Sequence, residues 1–183
     1  FLGSQAPKPA SVAGHSLGEY TSMVVAGVLS FAEALKLVRE RGRLMQQAAV
    51  ERPGGMAAII GLNELAFEHI CAETGVELAN INSDDQIVIS GDKIAVVRAM
   101  DLASAQGARK CISLPVSGAF HSSLMMQAQQ GLTETIGTMD FKDPNMPIIA
   151  NSTSSPLTTA IEVREELIDG LCHCVKWKHS VQY

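Results

Sequence analysis

Gly14-His15-Ser16-Leu17-Gly18 is a G-x-S-x-G pattern, the spacing that seats a serine on a tight strand-to-helix turn with its hydroxyl thrust into the open. The chemistry it supports is nucleophilic attack on an acyl group. Both glycines follow from sterics, because such a turn brings its backbone against the next helix, where a Cβ would collide. The flanks agree: Ser11-Val12-Ala13 is a short strand candidate, and Glu19 to Ala26 is a mostly apolar helix ended by Gly27. A serine at that junction faces the free N–H groups of the helix. An oxyanion on its substrate would be stabilised there by the helix dipole and by Leu17 N–H. A bare G-x-S-x-G also arises by chance in unrelated chains.

An activated serine needs a base, and the chain has five histidines. His121 has the best context: it follows a predicted strand that ends near Val116 and precedes a helix, at a sheet edge where catalytic groups gather. Helix N–H groups nearby would disfavour the imidazolium and keep the ring neutral, as a general base requires. The competing reading is a histidine that caps a helix or lines the edge of the core. His15 points away from Ser16 by strand alternation and is a poor base. His69, His173 and His179 have no companion motif.

The elements that must position these groups can be read from periodicity. Ser30-Phe31-Ala32-Glu33 is a capping box that opens a helix to about Ala48. Ala34, Leu37, Val38, Leu44, Met45 and Ala48 share one face of its wheel, and Glu33, Lys36, Arg39, Glu40, Arg43 and Gln47 the other. Arg41 falls in the middle of the apolar face. An inward guanidinium needs a carboxylate, a set of carbonyls or an anionic ligand, so Arg41 is either structural or a ligand anchor. After the break at Pro53-Gly54-Gly55 the pattern predicts strand Met56 to Gly61, helix Glu64 to Glu73, strand Val76 to Asn82, strand Gln86 to Ser90, helix Ala95 to Gln106 and strand Ala108 to Val116. This β-α-β-β-α-β order is the ferredoxin-like arrangement. A helix then runs from Ser122 to about Gly137, a strand from Met146 to Asn151, a polar loop from Ser152 to Thr159 and a last helix from Ile161 to about Leu171.

Composition narrows the classes. The 183 residues are 46% hydrophobic with a net charge of -5, enough for one core with a small subdomain and without the basic stripe that nucleic acid or an anionic membrane would need. No apolar run reaches membrane-spanning length, and no leader pattern opens the chain, so the cytoplasm, or an organelle after processing, is expected. Cys71, Cys111, Cys172 and Cys174 are too few and irregular for a disulfide framework. Cys172-His173-Cys174 lacks the spacing of a metal cluster, and no metal is expected. So little sequence precedes the elbow strand that further strands upstream are expected for a doubly wound sheet.

Four motifs together carry a resemblance: Gly14 to Tyr20 (GHSLGEY), Arg41-Gly42, Gln86 to Gly91 (QIVISG) and Gly118-Ala119-Phe120-His121-Ser122. The chain from about Ser11 to Tyr183 resembles malonyl-CoA:acyl carrier protein transacylases. The resemblance implies an α/β fold in which an α/β-hydrolase-like core of parallel sheet and helices, residues 1–54 and 118–183, carries a ferredoxin-like insert at 55–117. It implies Ser16 as the acylated nucleophile, His121 as base and then acid, Arg41 as the grip on the malonate carboxylate and Leu17 N–H as an oxyanion donor, with His15, Met45 and Phe120 also at the substrate. The reaction it implies is a ping-pong transfer from malonyl-CoA to the phosphopantetheine thiol of acyl carrier protein, supplying fatty-acid synthesis, with no metal or tightly bound cofactor, by a monomer.

Two departures accompany the resemblance. Gly3-Ser4-Gln5 only imitates the family's glutamine motif for the second oxyanion donor, and the segment whose backbone carbonyl orients the histidine is expected to lie outside the chain. An isolated chain of this kind is expected to be weakly active or inactive. The alternatives are an acyltransferase domain of a polyketide synthase, which has the same motifs, a serine esterase, which leaves Arg41 unexplained, and a non-catalytic docking module. Arg109, Lys110, Lys176 and Lys178 could meet an acidic carrier or simply be solvated.

Overall fold

The computed structural model describes residues 9–183, so Gly3-Ser4-Gln5 lies outside the described residues. Two β-sheets with helices packed on them make an α/β fold. The first sheet is short. β1 (Val12–Ala13) pairs in parallel with β6 (Ile148–Ile149), and β7 (Pro156–Leu157) pairs antiparallel with β6. The expected parallel arrangement therefore holds between β1 and β6 and gives way at β7. There the stretch read as a polar loop forms a hairpin: Ser154 takes a left-handed backbone, φ 58°, and Ala150 N–H donates to Ser155 O at 3.0 Å.

Around this sheet lie α1 (Leu17–Val25), α2 (Phe31–Glu51), α5 (Met126–Gly137), α6 (Ala160–Asp169) and α7 (Trp177–Gln182). The α2 capping box forms as spaced, with Ser30 Oγ accepting from Glu33 N and Ser30 N–H donating to Glu33 Oε2 at 2.9 Å. The helix continues three residues past Ala48 and stops ahead of Pro53, whose ring disfavours helical backbone before it. Its predicted apolar face is the buried one, and Leu37, Leu44 and Ala48 pack with Ala128, Leu132 and Ile136 of α5. A 3₁₀ turn at Ser123–Met125 precedes α5.

Between α2 and this turn, β2 (Gly55–Ile60), α3 (Glu64–Thr74), β3 (Glu77–Ser83), β4 (Gln86–Gly91), α4 (Lys93–Ala105) and β5 (Lys110–Ser113) follow in the order the sequence predicts. The four strands make one antiparallel sheet in the order β3-β4-β2-β5. Strand alternation divides its side chains. Ala57, Ile59, Ile87 and Ile89 pack under Phe67 and Ile70 of α3 and Val96, Ala99 and Ala103 of α4. Met56, Ala58, Ala79 and Val88 face the other way, with Leu114 and Phe120 against them.

The chain after α6 ties the two sheets together. Val175 bridges in parallel to Asn80 on β3, exchanging hydrogen bonds with Ala79 O and Ile81 N–H at 2.9 Å each. Helix α7, which hydropathy does not reveal, packs on β3 with Lys178 Nζ 2.9 Å from both Glu64 and Asp84. Lys178 is thereby committed internally, and Arg109 is likewise paired with Asp85. Two of the four basic residues considered for a carrier are thus held by the protein's own carboxylates.

Candidate active site

Ser16 sits at the N-terminus of α1 with φ 51° and ψ -101°, a conformation that costs an L-residue on the order of 1–3 kcal/mol and is held only where the surroundings over-determine it. Gly14 is the reason the turn closes: a Cβ there would lie 2.0 Å from Gly18 C and O, fixed backbone atoms. Gly18 differs from the expectation. A Cβ on it meets nothing within 4 Å, because its own backbone is the surface that Gly14 approaches.

Asn151, two residues beyond β6, holds the turn in place. Its Oδ1 accepts Ser16 N–H at 2.6 Å and its Nδ2 donates to Gly14 O at 2.8 Å. Ser16 N–H is therefore engaged, whereas Leu17 N–H opens α1 among the groups that a helix leaves without an internal partner. Sequence reasoning missed Asn151. A polar residue ending a strand parallel to the elbow strand was the available signal, since sites gather at that end of such strands.

His121 Nε2 lies 2.8 Å from Ser16 Oγ, across 105 residues of chain. Its other nitrogen, Nδ1, is 2.8 Å from Gly170 O at the end of α6. A carbonyl only accepts, so Nδ1 carries the proton and Nε2 presents its lone pair to the serine hydroxyl. This corrects the expectation that the orienting carbonyl lies outside the chain: Gly170 supplies it, and a backbone atom has no signature in residue type. His121 is buried and left-handed at φ 58°. Burial first, and then the charge of Arg41, lower its pKa from 6.5 to about 4, against the opposing pull of the Gly170 carbonyl. The neutral ring is as expected, but burial rather than a helix end is the main cause.

Arg41 leaves the buried face of α2, passes its guanidinium over the Tyr20 ring at 5.4 Å and donates from Nη2 to Ser16 Oγ at 3.1 Å. Ser16 Oγ thus donates to His121 and accepts from Arg41. The serine opens onto a cleft of about 350 Å³ lined by His15, Ser16, Arg41, Met45, Phe120 and His121. The residues expected at a substrate are brought together there, with Leu17 contributing backbone and turning its side chain outward. His15 also has structural duties, since Nε2 is 3.0 Å from Asn82 Oδ1 and the ring meets Trp177 edge-on at 5.5 Å.

No cluster of His, Cys, Asp and Glu suited to a metal occurs among the described residues. The four cysteines are free thiols, and His173 Nδ1 is bonded to Asp169 O at 2.8 Å. The arrangement can shuttle a proton between a serine and a histidine while a cation waits beside the serine. It is suited to acylation of Ser16 by a donor that carries an anionic group.

Comparison with known proteins finds clear relatives. Residues 1–182 match the acyl transferase domain family. The malonyl CoA-acyl carrier protein transacylase of Salmonella typhimurium is 41% identical over 179 residues, covering 96% of this chain and 58% of that protein. The solved malonyl CoA-acyl carrier protein transacylase of Coxiella burnetii superposes with a TM-score of 0.94 at 42% identity, over 97% of this chain and 58% of that one. A malonyl-transacylase solved in complex with a type II PKS acyl-carrier protein superposes at 0.93 with 38% identity, over 96% of this chain and 58% of that one. The chain spans a little over half the length of these relatives.

Proposed function

Because the chain belongs to the acyl transferase domain family, we propose that it moves a malonyl group from malonyl-CoA to the phosphopantetheine thiol of acyl carrier protein through an ester on Ser16. The observation that carries this reading is Ser16 Oγ between His121 Nε2 at 2.8 Å and Arg41 Nη2 at 3.1 Å. Base and cation meet one hydroxyl. An esterase has use for the first contact and none for the second.

In the first half-reaction His121 Nε2 takes the Ser16 proton as Oγ bonds to the thioester carbonyl, and Leu17 N–H faces the oxyanion. The C–S bond breaks, and His121 returns the proton to the departing CoA sulfur. The second half runs in reverse with the carrier thiol as nucleophile: its proton passes to His121 and on to Ser16 Oγ as the ester C–O bond breaks. The thioester is re-formed, so no cofactor is consumed. Arg41, released from Ser16 Oγ by rotation, pairs its planar fork with the malonyl carboxylate, a match that a neutral acyl group does not offer. His15, Met45 and Phe120 line the acyl side of the cleft.

The fold supports the same reading at a finer level. We take residues 1–54 and 118–183 as an α/β-hydrolase-like core and 55–117 as a ferredoxin-like insert, supported by the strand order β3-β4-β2-β5 with both helices on one face. No helix among the described residues is long and apolar enough to cross a membrane, and we place the reaction in the cytoplasm. The similarity to a transacylase solved with a type II PKS acyl-carrier protein keeps polyketide synthesis as the second setting for the same chemistry, beside fatty-acid synthesis.

The test is peptide mass spectrometry after incubation with malonyl-CoA. A malonyl adduct on Ser16 that is absent in Ser16→Ala and discharged by holo acyl carrier protein is the expected result. Release of free malonate at a rate indifferent to the carrier would establish hydrolysis instead.

A further inference from the structure

Behind the serine, on the side away from the cleft, two carboxyl groups are buried that the proposed chemistry does not use. Glu19 on α1 and Glu166 on α6 are 4% and 5% exposed and hold the consecutive backbone N–H groups of Asn151 and Ser152. Glu166 accepts Ser152 N–H at 2.7 Å and the Ser152 hydroxyl at 2.5 Å, one on each oxygen. Glu19 Oε1 accepts Asn151 N–H at 3.0 Å. Two bare carboxylates cannot share so dry a site, so one proton bridges them. Glu166 already accepts two donors and Glu19 one, so the shared proton rests on Glu19. Burial and the Glu166 charge both push the Glu19 pKa well above the ordinary carboxylate range, while Asn151 N–H and the Arg41 charge pull against them. The charged or titratable groups facing the pair are Arg41 from α2, His121 from the segment after β5 and Tyr20 from α1 itself. Asn151 and Ser152, after β6, contribute neutral dipoles.

Each of the two residues reaches a half of the Ser16–His121 dyad through one intermediary, Glu19 by its carboxyl and Glu166 by its backbone carbonyl. Asn151, whose backbone Glu19 holds, clamps Ser16 N–H and Gly14 O with its side chain. Glu166 O accepts Gly170 N–H at 2.7 Å, and Gly170 O orients His121. We propose that Glu19 and Glu166 form a one-proton carboxyl pair that positions both halves of the dyad, Glu19 through Asn151 and the elbow, Glu166 through the last turn of α6. The role rests on the acyl-transfer reading of that dyad. Raising the pH removes the shared proton, sets two anions against each other and drives α1 from α6, carrying the Gly170 carbonyl off His121.

The pair is tested in the full chain by infrared spectroscopy and by the pH profile of Ser16 acylation. A protonated-carboxyl C=O stretch is present at neutral pH and disappears in Glu19→Gln. Glu19→Leu lowers kcat by about tenfold or more with KM little changed, the scale expected when a reacting pair is misplaced. Glu19→Gln mimics the protonated acid, its amide donating to Glu166 at every pH. It recovers most of the loss and removes the alkaline fall in kcat. Equal losses in the two variants, or an alkaline fall unchanged in Glu19→Gln, would overturn the proposal. A chain that acylates Ser16 but lacks the stretch overturns the pair alone. A chain that shows the stretch yet never takes an acyl group overturns the acyl-transfer reading, and the positioning role with it.

Discussion

Replacing Arg41 by alanine separates the acyl-transfer reading from its rivals. In the structure the guanidinium rests on Tyr20 and spends one amino group on Ser16 Oγ at 3.1 Å, so its anchoring is light and its fork is available. Hydrogen bonds to a charged partner contribute about 1.5–3 kcal/mol each. Losing both contacts of the fork to a bound carboxylate lowers kcat/KM for malonyl transfer by about 100-fold or more. Acetyl-CoA carries no carboxylate, and its transfer to Ser16 changes far less. Arg41→Lys keeps the charge but not the planar fork and falls between the two. The assay is a time course of acyl-Ser16 by intact mass with each donor, alongside urea denaturation to show that the fold is intact. An equal loss with malonyl and acetyl donors would refute the reasoning, because Arg41 would then act on the serine or on the fold and not on the acyl group.

Two further outcomes follow from the geometry. His121 titrates near 4 when folded and near 6.5 when unfolded, so the unfolded chain takes up the proton first as pH falls. The stability it contributes is complete above about pH 6.5 and is lost toward pH 4, by roughly 3 kcal/mol. Urea midpoints measured from pH 7 to 4 fall less steeply in His121→Gln, and equal slopes would contradict the burial argument. Gly14→Ala places a Cβ 2.0 Å from Gly18 backbone and destabilises by about 1–3 kcal/mol or more with loss of Ser16 acylation. Gly18→Ala, with open space, leaves the melting temperature nearly unchanged, and calorimetry on the two variants compares them directly.

The dyad and its cation were legible because each needs a particular side chain in a particular local setting: a serine between glycines, a histidine between strand and helix, an arginine on an apolar helical face. The antiparallel sheet was legible for a related reason, since short apolar runs such as Gln86 to Ser90, bounded by turn residues such as Asn82 to Asp85, are written locally. What escaped lies in backbone atoms and in pairs that only the tertiary fold creates. Gly170 acts through its carbonyl. Glu19 reads as one polar residue in a buried helix, and Glu166 as one acid in the run Glu162 to Asp169, until α1 and α6 meet. β7 and α7 were missed because two residues and six residues are too short for hydropathy to distinguish from loop. The strand predicted over Met146 to Asn151 pairs only at Ile148–Ile149, since its neighbour β1 is equally short.

That His121 is aimed by the main-chain oxygen of Gly170 changes what heredity can do to this centre. An orienting side chain can be erased by one codon, whereas a peptide oxygen persists through substitution, within a tight fit here: a Cβ on Gly170 would lie 2.9 Å from Glu166 O. Drift along α6 is therefore tolerated by the imidazole only where it leaves Glu166 and the end of the helix in place, and it is the path of the chain at Gly170 that carries the aim.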